Sequence, residues 1–171
     1  PGEKVSIAIG SHAVETTASA EGRWSAKLPK LIAGGPHTLT VTGRNKLTVG
    51  DVLIGEVWLG SGQSNMAMAV NRAKDFEQEQ SAAKYPQIRM FTVASSASNT
   101  PQTDCRGFWE VCSPETVTRF SATAYFFGRD VHKSLNVPVG LINSSVGGTP
   151  IESWISPEAQ RESPKLKEFF A

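Results

Sequence analysis

The residues best suited to chemistry lie together in Gly60-Ser61-Gly62-Gln63-Ser64-Asn65, directly after the apolar run Val57-Trp58-Leu59. Glycines let a strand end turn sharply without a Cβ clash. A serine on such a strand-to-helix turn is presented at the carboxyl edge of an α/β sheet. There its hydroxyl can act as a nucleophile, while its own N–H and neighbouring amides at a helix start can face a developing oxyanion. A second reading stays open on these residues alone: Ser64 can be a helix N-cap, because serine is a favoured cap. The same pattern returns downstream, where Val137-Pro138-Val139-Gly140-Leu141-Ile142-Asn143 reads as a buried strand running into Ser144-Ser145-Val146-Gly147-Gly148-Thr149. If the two strands are parallel neighbours joined by right-handed crossovers, both glycine turns emerge at one sheet edge and Ser64 meets the Gly147 and Gly148 amides.

Several elements must hold these turns. Val52-Leu53-Ile54 with Val57-Trp58-Leu59 forms a nearly continuous apolar run, the pattern of a strand buried on both faces of a parallel sheet. Ile88 to Val93 reads as a second core strand. Phe120, Ala124, Phe127 and Val131 recur at helical spacing and predict a helix stopping before Asn136 and Pro138. Residues 66–84 suit a mixture of helix and loop, with Met66 and Met68 as packing residues, and 156–170 is helix-like. Residues 94–104 are small and polar and read as loop, and Trp109 reads as a packing anchor in an ordered connection reaching Thr116.

The first fifty residues have a different texture. Val5, Ile7 and Ile9, then Trp24, Ala26 and Leu28, then Leu39 and Val41, alternate with polar neighbours between glycine-bearing turns. Short alternating strands of this kind predict part of an antiparallel sandwich, too small to bury a sizeable core alone. The expected division is therefore a β-sandwich segment over 1–50, part of a jelly-roll-like domain, and an α/β segment over 51–171. The threonine-rich faces of the first segment also suit a carbohydrate-binding module.

Composition removes other classes. The chain of 171 residues carries a formal charge of +1 and no basic stripe, which argues against a nucleic-acid partner or an anionic membrane surface. No apolar run approaches the roughly 20 residues of a membrane span. Cys105 and Cys112 are the only cysteines, too few to complete a zinc set, and their spacing leaves open whether they pair. His12 and His37 read as surface residues, and His132 as a solvated helix residue rather than a base, because Asp130 two positions away does not face it. No metal and no cofactor are implied. The chain begins at Pro1 without a signal-peptide pattern and is expected to be a processed or excised piece.

Three blocks together resemble a known family: Gly55-Glu56-Val57-Trp58 through Ser61-Gly62-Gln63-Ser64-Asn65-Met66, then Phe120-Ser121-Ala122-Thr123-Ala124-Tyr125-Phe126-Phe127-Gly128, then Gly140-Leu141-Ile142-Asn143 through Gly147-Gly148-Thr149-Pro150-Ile151-Glu152-Ser153-Trp154. They are similar to the sialate O-acetylesterases, carbohydrate esterases of the SGNH hydrolase superfamily. The resemblance implies a partial SGNH, flavodoxin-like three-layer parallel sheet preceded by the β-sandwich segment. It matches Ser64 to the nucleophile and one of Gly147 or Gly148 to an oxyanion-hole donor. Gln63 and Asn65 become turn-ordering and substrate-binding candidates. The implied reaction removes an acetyl group from an acetylated carbohydrate through an acyl-enzyme, in a secreted, periplasmic or lysosomal compartment.

The departures from the family pattern are as informative. The later block with its Asn and the final Asp-x-x-His carrying the base have no counterpart among these residues. The remainder of the catalytic domain is expected from the same polypeptide or a second chain, and these residues alone are expected to be nearly inactive. The competing expectation is a non-catalytic carbohydrate-binding or structural protein with an incomplete esterase segment.

Overall fold

The computed structural model describes residues 1–94, 98 and 100–165. It divides into two compact units, Pro1–Glu56 and Val57–Ala171.

The first unit is one four-stranded antiparallel sheet. Its strands are β1 (Lys4–Ile9), β2 (His12–Thr17), β3 (Gly34–Thr42) and β4 (Lys46–Ile54), in the order β2-β1-β3-β4. The alternation in β1 works as period-two patterning should: Val5, Ile7 and Ile9 are all buried on one face. The expected strand over Trp24, Ala26 and Leu28 does not form. Trp24 and Ala26 are exposed, so burial does not reward the alternation, and Pro29 removes a backbone donor where a ladder would continue. Within these residues the expected sandwich is therefore a single sheet.

The second unit is mixed α/β. Its elements are β5 (Glu56–Gly60), α1 (Ser64–Ala67), α2 (Phe76–Ala82), β6 (Tyr85–Thr92), β7 (Trp109–Cys112), α3 (Ala122–Leu135), β8 (Val139–Asn143) and α4 (Pro157–Glu162). The sheet order is β5-β8-β6-β7. β6 and β8 are parallel, in a register from Ile88 opposite Val139 to Thr92 opposite Asn143. β7 is antiparallel to β6, so the sheet is mixed rather than wholly parallel. Residues 109–112, read as a connection, supply this short strand, while 95–97, 99 and 166–171 lie outside the described residues.

The apolar run around Gly55 is cut in two. Val52 to Ile54 complete β4, where Val52 pairs with His37 and Ile54 with Gly34. Val57 to Leu59 begin the other sheet, so the boundary between units falls after Glu56 and not at residue 50. β5 is also an edge strand rather than one buried on both faces: Val57 and Leu59 are 64% and 65% exposed. Trp58 packs edge-on against Phe127 with ring centroids 5.0 Å apart.

The core lies between α3 and the sheet, with Ile88 and Met90 from β6, Val139 and Leu141 from β8, and Ala124 and Tyr125 from α3 all buried. Helix α3 is long enough to carry this packing because its ends are well closed. Ser121 caps the first turn by accepting from Ala124 N, and Asn136 takes the left-handed conformation at the other end with φ of 52°. Between α1 and α2, Val70–Arg72 make one 3₁₀ turn that buries Val70 in the same core.

Candidate active site

Ser64 is the first residue of α1, a helix of four residues, and it is exposed. It is not the N-cap. Gln63 takes that position, and its Oε1 accepts from both Ser64 N (2.9 Å) and Ser64 Oγ (2.6 Å). The serine hydroxyl is thus free of a capping duty. However, the Ser64 N–H expected to face an oxyanion is engaged by the Gln63 carboxamide in this arrangement.

The two glycine turns lie side by side. Ser144 N donates to Gly60 O at 2.9 Å and Val146 N donates to Gly62 O at 2.9 Å, joining the chain beyond β5 to the chain beyond β8. Gly147 sits against the serine: a Cβ at Gly147 would lie 3.7 Å from both Ser64 Cα and Ser64 Cβ. Gly148 has open space around it but φ of +79°, a conformation that side chains disfavour. The pair therefore divides its work, with Gly147 adjoining Ser64 and Gly148 making the turn. Asn65 is exposed, and its backbone oxygen accepts from Thr123 Oγ1 at 3.1 Å.

The close approach of the turns depends on small residues beneath them. A Cβ at Gly60 would fall 3.1 Å from Met66 Sδ and 3.6 Å from Ile142 O. The Met66 side chain packs into the space that Gly60 leaves, in line with its expected packing role.

Other residues escaped the sequence reading although they shape the site. Asn143, buried at the end of β8, accepts from Ser145 N (3.2 Å) and Ser145 Oγ (2.6 Å), an Asx-type turn whose signal was an asparagine followed two positions later by serine. Further along, Trp154 Nε1 donates to Thr149 Oγ1 (2.9 Å), which donates to Val146 O (2.8 Å), bracing the Gly147–Gly148 turn from its far side. On α3, the Ser121 hydroxyl donates to Met66 O at 2.6 Å.

No histidine or carboxylate among the described residues is bonded to Ser64 Oγ, whose partner is the Gln63 amide oxygen. His12 and His37 lie on β2 and β3 of the first unit. His132 is half-buried rather than solvated; its Nδ1 lies 2.7 Å from Val137 O and its ring packs edge-on against Tyr85. It stands nine residues along α3 from Thr123, about 13 Å at helical rise.

Cys105 is exposed and Cys112 buried, and both are free thiols. Burial pushes the Cys112 thiol up to about 12, which keeps it protonated and chemically inert. Among the described residues no group of three or more His, Cys, Asp or Glu could hold a metal ion. No helix among them is long and apolar enough to cross a membrane.

Comparison with known proteins identifies a family for the chain. The chain is 38% identical over 151 residues to the sialate O-acetylesterase of Rattus norvegicus, an alignment covering 80% of this chain and 28% of that protein. It is 36% identical over 147 residues to the human sialate O-acetylesterase, covering 78% of this chain and 28% of that one. The chain thus spans less than a third of the length of these curated relatives. A crystal structure of a carbohydrate acetylesterase from Xanthomonas citri superimposes with a TM-score of 0.90 at 36% identity, covering 95% of this chain and 38% of that one. The family model for carbohydrate esterase, sialic acid-specific acetylesterase, matches residues 54–166, from the last residue of β4 through both glycine turns. The chain belongs to the sialic acid-specific acetylesterase family of carbohydrate esterases.

Proposed function

We propose that these residues form the nucleophile-bearing part of a serine esterase that removes O-acetyl groups from sugars, sialic acid or another acetylated glycan. The observation that carries the proposal is the placement of an exposed Ser64, free of capping, against the backbone of Gly147 where the ends of β5 and β8 adjoin. In this reading Ser64 Oγ attacks the acetyl carbonyl, the sugar oxygen leaves, and water then cleaves the acyl-enzyme. The Gly147 N–H serves the oxyanion, joined by Ser64 N–H once the Gln63 carboxamide moves aside. Gln63 and Asn65, exposed on either side of Ser64, contact the sugar.

The general base is supplied by residues outside 1–171, which complete an SGNH-type three-layer domain around this sheet. The open edge at β5, with its exposed Val57 and Leu59, supports that reading. Family likeness further supports a secreted, periplasmic or lysosomal location.

The test is Ser64→Ala in the full-length enzyme with an O-acetylated sugar as substrate. Loss of a nucleophilic serine should lower kcat by at least about 10³-fold with the protein still folded. Retained hydrolysis overturns the proposal.

One observation favours an additional binding role for the first unit: a cleft of about 330 Å³ there is lined by Trp24, Glu3, Arg44 and Asn45. Retention of acetylated glycans on an array by the Ser64→Ala protein that is lost on adding Trp24→Ala would support it, and a blank array or retention unchanged by Trp24→Ala would overturn it.

A further inference from the structure

The four-residue helix bearing Ser64 cannot hold its own direction. A single turn fixes several dihedrals for very little hydrogen bonding, and nearly all its carbonyls lack intrahelical partners. Ala67 N, donating to Gln63 O at 3.0 Å, closes its one turn.

Its outward carbonyls are met instead by the start of α3. Ser121 Oγ donates to Met66 O at 2.6 Å, Thr123 Oγ1 donates to Asn65 O at 3.1 Å, and Ala122 N donates to Met68 O at 2.8 Å. A fourth bond runs the other way, from Val70 N to Phe120 O at 3.0 Å. Ser121 is fully buried and uses its oxygen twice, since it also accepts from Ala124 N at 3.1 Å to cap α3. One hydroxyl therefore joins the capped end of a fourteen-residue core helix to the helix that carries the serine. The position needs a donor and an acceptor on one short, buried atom, which a hydroxyl supplies.

Building on the proposed role of Ser64, the geometry points to Ser121 and Thr123 as positioning residues for the nucleophile. They aim α1, and with it Ser64 Oγ, at the Gly147 amide by satisfying α1 carbonyls from a rigid element. Neither touches the substrate. Displacement of a reacting atom by about an ångström can cost on the order of 10²-fold in rate, so the clamp acts on kcat and leaves substrate contacts in place.

The experiment uses the full-length enzyme with p-nitrophenyl acetate as probe, and counts reactive serines by titrating to completion with a fluorophosphonate. Ser121→Ala is expected to lower kcat per titrated site by roughly 10- to 100-fold with KM within about twofold. Thr123→Val removes one exposed hydroxyl without touching the cap, and is expected to lower kcat per site by roughly threefold to tenfold. Thr123→Ser should restore it. A merely structural role would reduce the number of titratable sites and leave kcat per site unchanged, and that result overturns the clamp. Should Ser121→Ala fail to fold, the Thr123 pair decides alone. Ser64→Ala in the same series separates the two ideas. If it is inactive while the clamp variants keep kcat per site, the clamp alone is wrong; if it remains active, the reading of Ser64 falls and the clamp with it.

Discussion

The two glycine turns that meet at the sheet edge are built alike in sequence and held in opposite ways. The turn after β8 is self-braced: buried Asn143 holds Ser145, and Trp154 holds Thr149, which holds Val146, all within twelve residues. Beyond its two backbone bonds from the turn after β8, the turn after β5 is held by the exposed Gln63 contact and by carbonyl bonds from α3, more than fifty residues away in sequence. The strands beneath them differ in the same sense. β8 is flanked on both sides and buries Val139, Leu141 and Asn143, whereas β5 is an edge with exposed Val57 and Leu59. A turn on a buried strand can carry its own stiffness in local side chains. One on an exposed edge must be steadied from a neighbouring element.

Breaking the self-braced turn should have the larger effect. Asn143→Ala removes the buried acceptor for Ser145 N and Oγ, and leaving partly buried donors unmet costs about 1–3 kcal/mol. Chemical denaturation of the full-length protein should show that loss as a lowered midpoint with an unchanged m-value. A midpoint indistinguishable from the parent would mean that the turn is held elsewhere, and the contrast between the two turns would fail.

The glycines sharpen the contrast next. Gly148→Ala forces a side chain into φ of +79° and should cost about 1–2 kcal/mol, read again as a lowered midpoint. Gly147→Ala meets no clash, since its methyl would sit at an ordinary 3.7 Å from Ser64. It should leave stability within about 0.5 kcal/mol. The methyl crowds the space beside the nucleophile, so acetylated-sugar turnover should fall nonetheless. Equal stability losses in the two variants would erase the division of labour between these residues.

What could be read in the sequence follows the same contrast. Local signals were legible: the β1 alternation, the four-three-four spacing of α3 with Asn136 at its end, and the glycine-bearing turns after Leu59 and Asn143 all correspond to observed elements. Long-range allocation was not. Val52–Ile54 and Val57–Leu59 look like one strand because hydrophobicity is the same on both sides of Gly55, and nothing local says that they join different sheets. β7 was missed because four residues with two exposed are held by pairing to β6 more than by pattern. At the site, serine types were visible but their duties were not. Ser64 looked like a possible cap, while the actual cap was its neighbour Gln63, and Ser121 drew no attention because its second partner, Met66 O, lies 55 positions away.

The smallest expected effect concerns that neighbour. Gln63 is exposed, and replacing a cap of this kind with alanine should cost no more than about 0.5–1 kcal/mol. Its carboxamide oxygen nevertheless occupies both groups that the proposed chemistry needs, accepting from Ser64 N and from Ser64 Oγ. An amide oxygen is no base, so this contact holds the hydroxyl without activating it, and a substrate carbonyl must displace it to reach the Ser64 N–H. Gln63→Ala should therefore react with a small fluorophosphonate at least as fast as the parent enzyme. If Gln63 also contacts the sugar as proposed, the KM for the acetylated sugar should rise in the same variant. Slower phosphonylation with folding intact would show that the carboxamide helps to orient Ser64. The turn after β5 would then have a local brace of its own, and the contrast with the turn after β8 would narrow.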